Sequence, residues 1–317
     1  MYRVAALLIL WAPVLAESGS AQSLTVATFN AEFLTRPRVH LKFDLPFTLT
    51  GTDLATWNTA GFRDARFAEA VAAVAHVIAG IDADVVALTE VGNDLDVAEL
   101  VAAIGVLGVA YNHTAVCDCT DNVTQQHVAV LSKMALSGVL TTIPGREHYY
   151  EELDDPESEN DTGISKGMRV TFATQGQDFH LYVVHLASER GGHEQDQQRI
   201  AQASLVRRHY LDDLNGGDHV IVAGDLNDRR GQPALRRIRG FDDLWADLIQ
   251  TGGVDFFDGG AEDTRWTYIF QGRRQQIDHI LLSRSVRDAW RISTETVGPI
   301  AGLASDHRPL VVTLDLR

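Results

Sequence analysis

Carboxylates, carboxamides and imidazoles stand where apolar runs give out at Asn30, Glu90, His185, Asp225, Asn227, Asp278 and Asp306-His307. Oxygen donors of this kind suit a hard divalent cation such as Mg²⁺, which takes few protein ligands and keeps several waters. Imidazole is the side chain best placed to exchange a proton near neutral pH. The sharpest instance is VIVAGDLN at 220–227, where a buried-strand pattern breaks into Gly224-Asp225-Leu226-Asn227. Strand alternation sends Asp225 and Asn227 to one face and Leu226 to the other, so the two polar side chains can grip one target, and Gly224 leaves room for a close approach.

Such residues need a scaffold, and the surrounding periodicity supplies one. Strands are expected at 23–30, 84–91, 127–132, 168–174, 178–186, 275–283 and 309–316, with helices over 65–80 and 194–214, the second ending before Gly216-Gly217. This alternation predicts an α/β fold. The closely spaced runs 168–174 and 178–186 read as a hairpin, which makes the sheets mixed rather than purely parallel.

The local contexts, in chain order, are FN at 29–30, LTEV at 88–91, VVHL at 183–186, GDLN at 224–227, IDHI at 277–280 and SDHRP at 305–309. Each follows an apolar strand, and together they resemble the endonuclease/exonuclease/phosphatase (DNase I-like) superfamily from about residue 24 to 316. The resemblance implies a four-layer sandwich of two packed mixed β-sheets flanked by helices. It also implies a metal-dependent phosphoric ester hydrolase, with Mg²⁺ as the cofactor and Mn²⁺ or Ca²⁺ as alternatives. Hydrolysis of a phosphodiester requires a nucleophilic water, neutralisation of developing charge and help for the departing oxygen. By resemblance, Glu90 is a metal ligand, with Asn30 and Asp306 close to the same ion. His307, paired with Asp278, is the general base. His185 donates to a non-bridging phosphate oxygen, and Asp225 and Asn227 orient water and phosphate. His279 should face away from this group.

The segment GISKGMRV at 163–170 resembles a family segment that brings a basic residue toward the site, either Lys166 or Arg169. Alternation puts the two on opposite faces, and Arg169 is taken as the phosphate contact. The loop within 185–199 resembles a stretch beside the cleft in secreted bacterial members, which offers Ser188 and Arg190 to the substrate.

Composition limits the remaining choices. The chain has 317 residues, is 45% hydrophobic and 22% charged, and carries a formal charge of −16. That charge argues against broad basic-face binding of nucleic acid but not against turnover of a polyanion beside a divalent cation. Part of the excess lies in EELDDPESEND at 151–161, read as a solvated loop. Arg3, the apolar stretch 4–16 and the small polar segment after it read as a signal peptide over 1–21, cleaved after Ala16 or Ala21, with one domain over 22–317. The protein is therefore expected to be secreted or periplasmic. Cys117 and Cys119, one residue apart, form a tight disulfide or stay reduced, and catalysis is not assigned to them. Asn112 and Asn122 head glycosylation sequons.

Export favours nucleic acid as the substrate. The competing reading is a phospholipid, because residues 36–62, with Phe43, Leu45, Phe47, Leu49 and Trp57, could form a membrane-docking hairpin. A phosphomonoesterase is a further alternative, and no stable protein partner is inferred. A catalytically silent binding module should have lost part of the constellation, and every member is present.

Overall fold

The computed structural model describes residues 23–152, 155–240, 248–251, 266–296 and 302–316, so the expected signal peptide lies outside the described residues. In chain order the strands are β1 (Ser23–Leu34), β2 (Val85–Val91), β3 (His113–Val116), β4 (His127–Ser132), β5 (Leu136–Leu140), β6 (Glu147–Tyr150), β7 (Glu159–Thr162) and β8 (Gly167–Thr174). They continue with β9 (Gln177–His185), β10 (His219–Asp225), β11 (Leu248–Thr251), β12 (Tyr268–Phe270), β13 (Arg273–Gln275), β14 (Asp278–Ser283), β15 (Trp290–Thr296) and β16 (Leu310–Leu316). The helices are α1 (Gly51–Trp57), α2 (Phe62–Ile81), α3 (Asp94–Val106), α4 (His193–Gly216), α5 (Pro233–Arg239) and α6 (Arg284–Ala289).

The first sheet has the order β15-β16-β1-β2-β4-β3 and the second β11-β14-β10-β9-β8-β5. Both are mixed: β1 runs parallel to β2 and β9 parallel to β10, whereas β8 and β9 form the expected antiparallel hairpin. Alternation along the strands divides the apolar residues into three cores. Val26, Val85 and Val130 from the first sheet meet Leu181, Val183, Ile221 and Ile280 from the second. On its outer face the first sheet presents Phe29, Val86 and Leu88 to α2 and α3. The second presents Tyr182, Val184 and Val222 to the α4 and α5 side. The result is the four-layer sandwich expected from the motifs.

Helix α2 forms because Phe67, Ala70, Val71, Val74, Ala75 and Ile78 repeat at helical spacing and are all buried. Helix α3, not anticipated from the sequence, starts at Asn93, whose side chain accepts from the backbone N–H of Leu95 and Asp96.

Residues 36–62 do not make a hairpin. They fold as a 3-10 turn at Val39–Phe43 followed by α1. Trp57 is buried, and Phe43, Leu45 and Leu49 pack against the core beneath α2. Phe47 and Leu54 stay exposed. The apolar residues that suggested membrane docking are mostly spent on internal packing.

Candidate active site

The second sheet delivers its polar residues by simple alternation. Leu181, Val183 and His185 on β9, Ile221, Ala223 and Asp225 on β10, and Asp278, Ile280 and Leu282 on β14 share the face toward the first sheet. The register pairs Asp225 with both His185 and Asp278, so three adjacent strands end at the same level. His279 points the other way and its Nε2 lies 2.8 Å from the Asp228 carbonyl oxygen, as alternation requires. Gly224 has φ +135°, and a Cβ there would fall 2.0 Å from the Val184 carbonyl oxygen. The close approach it permits is therefore that of the neighbouring strand, not of a ligand.

The first sheet needs a distortion. Alternation from Val86 and Leu88 would send Glu90 to the helix side, but the β2 register shifts between Leu88 and Val91 and Glu90 takes φ +58°. This left-handed bulge turns the carboxylate into the cleft. At the end of β1, Glu32 and Phe33 also have positive φ, and Asn227 beyond β10 has φ +48°.

The two sets converge. Asn30 Nδ2 donates to Glu90 Oε1 and to Asp225 Oδ2, both at 3.0 Å, and so bridges the sheets. The Glu90 carboxylate also accepts from Phe33 N at 3.0 Å and from Gln126 Nε2 at 2.6 Å. His307 Nδ1 lies 2.7 Å from Asp278 Oδ2, buried on both sides. The His307 ring stacks on Tyr268 at 4.6 Å between centroids, which fixes its plane. His185 Nε2 stands 3.8 Å from both Glu90 Oε1 and Asp225 Oδ2. Its Nδ1, like Asp278 Oδ1, is buried without a hydrogen-bond partner among the described residues. Asn227 Nδ2 donates to the Leu186 carbonyl and its N–H to Asp225 Oδ1. Asp306 sits at the rim, its N–H bonded to Glu32 Oε2. A cleft of about 580 Å³ is lined by Glu90, His185, Ser188, Arg190, Asp225, Asn227, Asp306 and His307 among others.

Electrostatics follow from burial and crowding. Burial raises the Asp225 carboxyl above its ordinary value, and the negative charge of Asp278 raises it further. Glu32 is pushed up to about 7 by burial and by Asp306, and burial also raises Asp306. Burial alone would lower His307, but the carboxylates of Asp278, Asp225 and Asp306 overcome it and hold the ring well above the usual imidazole range. His185 lies well below that range, through burial first and then the positive charges of Lys166 and His307. It is therefore neutral at neutral pH and can donate one N–H.

This pattern fits a divalent cation. Ligand atoms of Glu90, His185 and Asp225 all lie within 4.8 Å of one another, and Asp225 is buried beside Asp278. The donors are mostly carboxylate oxygens, the set that a hard ion prefers. Asn30 departs from the expected arrangement: its amide faces the two carboxylates as a donor, and its Oδ1 accepts from Glu32 N at 2.9 Å. In this structure it orients both carboxylates.

Arg169 is a correction. Met168 and Val170 face the sheet interface, so Arg169 faces α4, where it makes a two-point ion pair with Asp213 at 2.8 and 2.9 Å. The cleft cation on that segment is Lys166, whose Nζ lies 3.2 Å from Gln126 Oε1 and 3.4 Å from Asp121 Oδ2. Ser188 and Arg190 do reach the cleft, and Arg190 Nη2 donates to Tyr268 Oη at 3.0 Å. Sequence reasoning missed Glu32, Gln126 and Tyr268. An acid two residues past Asn30 could have pointed to Glu32, whereas Gln126 and Tyr268 carry no local signal. Cys117 and Cys119 are joined as a disulfide in the loop after β3 that leads to Gln126.

Comparison with known proteins agrees with this geometry. The model of the endonuclease/exonuclease/phosphatase family matches residues 55–307. No curated protein matches the sequence. Among solved structures, truncated TDP2 of Caenorhabditis elegans is similar at 17% identity and TM-score 0.56, covering 92% of this chain and 98% of that one. An endonuclease/exonuclease/phosphatase from Beutenbergia cavernae gives 20% identity and TM-score 0.57 over 93% of this chain and 72% of its own. A beta toxin of Staphylococcus aureus gives 14% identity and TM-score 0.53 over 91% and 99%. At these identities the neighbours establish the fold. The family match spans most of the chain, and with the convergent strand ends it identifies this protein as a member of the endonuclease/exonuclease/phosphatase family, a metal-dependent phosphoric ester hydrolase.

Proposed function

We propose that the protein is an exported, Mg²⁺-dependent phosphodiesterase acting on DNA or RNA. The observation that carries this reading is the buried His307–Asp278 pair, 2.7 Å apart, opening onto the same cleft as Glu90, His185 and Asp225.

Asp278 fixes the tautomer by accepting from His307 Nδ1–H, which leaves Nε2 to take a proton from a water lying in the cleft. Tyr268 holds the ring plane, so that Nε2 keeps its direction while the proton moves. Neutral His185 donates its Nε2 proton to a non-bridging phosphate oxygen, where negative charge grows as the water adds. Asp225, oriented by Asn30 and by the Asn227 N–H, accepts a hydrogen bond from the same water or from the phosphate's surroundings. Lys166 and Arg190 bring positive charge to the cleft walls and attract the phosphate. Glu90, with Asp225 and Asp306 nearby, would hold the cation, which supplies charge neutralisation and eases departure of the leaving oxygen.

Two observations support a nucleic acid over a lipid. Residues 36–62 spend Trp57, Phe43, Leu45 and Leu49 on internal packing rather than on a docking surface. The cleft is also lined by Phe33, Phe47 and Phe270, side chains of the aromatic type on which bases stack. The signal-peptide pattern supports export.

The test is an activity panel of plasmid DNA, RNA, sphingomyelin vesicles and a phosphomonoester, each with Mg²⁺ and with EDTA. Hydrolysis of DNA or RNA that stops in EDTA and returns with Mg²⁺ is expected. Turnover of sphingomyelin alone would replace the nuclease reading with the lipid one, and activity surviving full chelation would overturn the metal assignment.

A further inference from the structure

Lys42 is a buried cation outside the catalytic set, on the 3-10 turn of the segment that had suggested membrane docking. Its side chain is 0% exposed. The ammonium group donates to the carbonyl oxygens of Ala31 at 2.8 Å, Glu32 at 2.9 Å and Ala304 at 2.8 Å, which uses all three of its protons. Glu32 Oε2 lies 3.5 Å away.

These carbonyls belong to the irregular end of β1 and to the 3-10 turn Gly302–Ala304, from opposite ends of the chain. Ala31 and Glu32 follow Asn30, and Ala304 leads into Ser305, Asp306 and His307. The end of β1 is strained, because Glu32 and Phe33 both have φ +44°. Left-handed non-glycine residues are strained and persist only where the surroundings over-determine them. Side chains of the site supply part of that constraint: Glu32 N donates to Asn30 Oδ1, and Phe33 N donates to Glu90 Oε2. Those bonds occupy the very groups that must serve a cation or its ligands. Lys42 fixes the same segment through main-chain oxygens, and ties it to the segment of Asp306 and His307, without engaging Asn30, Glu90 or Asp306.

We infer that Lys42 is a positioning residue of the cation site: it staples the Asn30–Phe33 end of β1, whose Phe33 N–H holds Glu90, to the Ala304–His307 segment and thereby presets the separation of Glu90 from Asp306. This rests on the metal reading given above. It assigns the Val39–Phe43 turn, through Lys42, the task of buttressing the site from behind.

The sign of the effect separates this role from simple electrostatics. Removing a positive charge beside a cation site should tighten cation binding by Coulomb's law. Removing a positioning group should weaken it, by about 10–100-fold for outer-shell partners of metal sites. The experiment is Mn²⁺ titration of the full chain, followed by the electron paramagnetic resonance signal of the free ion, for wild type, Lys42→Met and Trp57→Leu. Trp57→Leu alters the packing of α1 and removes none of the hydrogen bonds that Lys42 makes, and circular dichroism at the titration temperature confirms that each variant is folded. The expected result is Mn²⁺ binding weakened at least about tenfold in Lys42→Met and unchanged in Trp57→Leu. Should Lys42→Met not fold, Lys42→Gln, which keeps an amide donor, is read by the same threshold. Unchanged or tighter binding in the lysine variant, or equal weakening in Trp57→Leu, would overturn the role of Lys42. Absence of Mn²⁺ binding in the wild type would instead overturn the metal reading itself.

Discussion

The two sheets contribute to the cleft by different means. The second sends His185, Asp225 and Asp278 into it from regular, adjacent strand ends whose register pairs them directly. The first reaches the same point through irregular backbone: a bulge with left-handed Glu90, consecutive left-handed residues at Glu32 and Phe33, and the buried Lys42 tying the end of β1 to the Gly302–Ala304 turn. One half is rigid by virtue of its ladder, and the other is held by side chain to backbone bonds. The regular half carries the group that orients the base, and the irregular half carries most of the carboxylates suited to a cation.

The comparison can be broken at several points. His307→Ala removes the proton acceptor shared by both halves and should lower kcat by about 10²–10⁴-fold, with the circular dichroism spectrum unchanged. A near-normal rate would mean that the base lies elsewhere. Asn30→Ala removes the bridge between Glu90 and Asp225, and the expected loss is about 10–100-fold in metal affinity or kcat/KM, read as a shifted Mg²⁺ dependence. If that variant matches wild type, the halves are not coupled through Asn30. Arg169→Met gives the smallest effect on catalysis: kcat and KM should stay at wild-type values. Loss of its largely buried pair with Asp213 should cost about 1–3 kcal/mol of stability in urea unfolding. A raised KM would return Arg169 to the substrate.

What the sequence disclosed follows the same division. Apolar alternation on β9, β10 and β14 is local, so the orientation of His185, Asp225 and Asp278, and the exclusion of His279, could be read directly. The same rule placed Arg169 opposite Lys166 and should have decided between them, since Met168 and Val170 are the core-facing partners. Glu90 was found by its place after an apolar run, but the rotation that brings it into the cleft depends on a backbone conformation that no residue there announces. Gln126, Tyr268 and Lys42 act across long sequence separations, and their partners exist only once the sheets have packed. The apolar content of residues 36–62 was visible, yet whether it faced lipid or core depended on what α2 left uncovered.

The acid limb of the pH–rate profile is the sharpest check on the His307–Asp278 base, because it reports the proton held by His307. That ring must be neutral to accept a proton, and the carboxylates around it raise its pKa well above the ordinary value, so kcat/KM should rise with pH through a limb displaced to the alkaline side. In Asp278→Asn the nearest of those charges is gone. The imidazole then loses its proton at lower pH, and the limb should move to lower pH while the plateau rate falls through loss of the fixed tautomer. A limb that stays in place in Asp278→Asn would contradict the assignment of the His307–Asp278 pair as the general base.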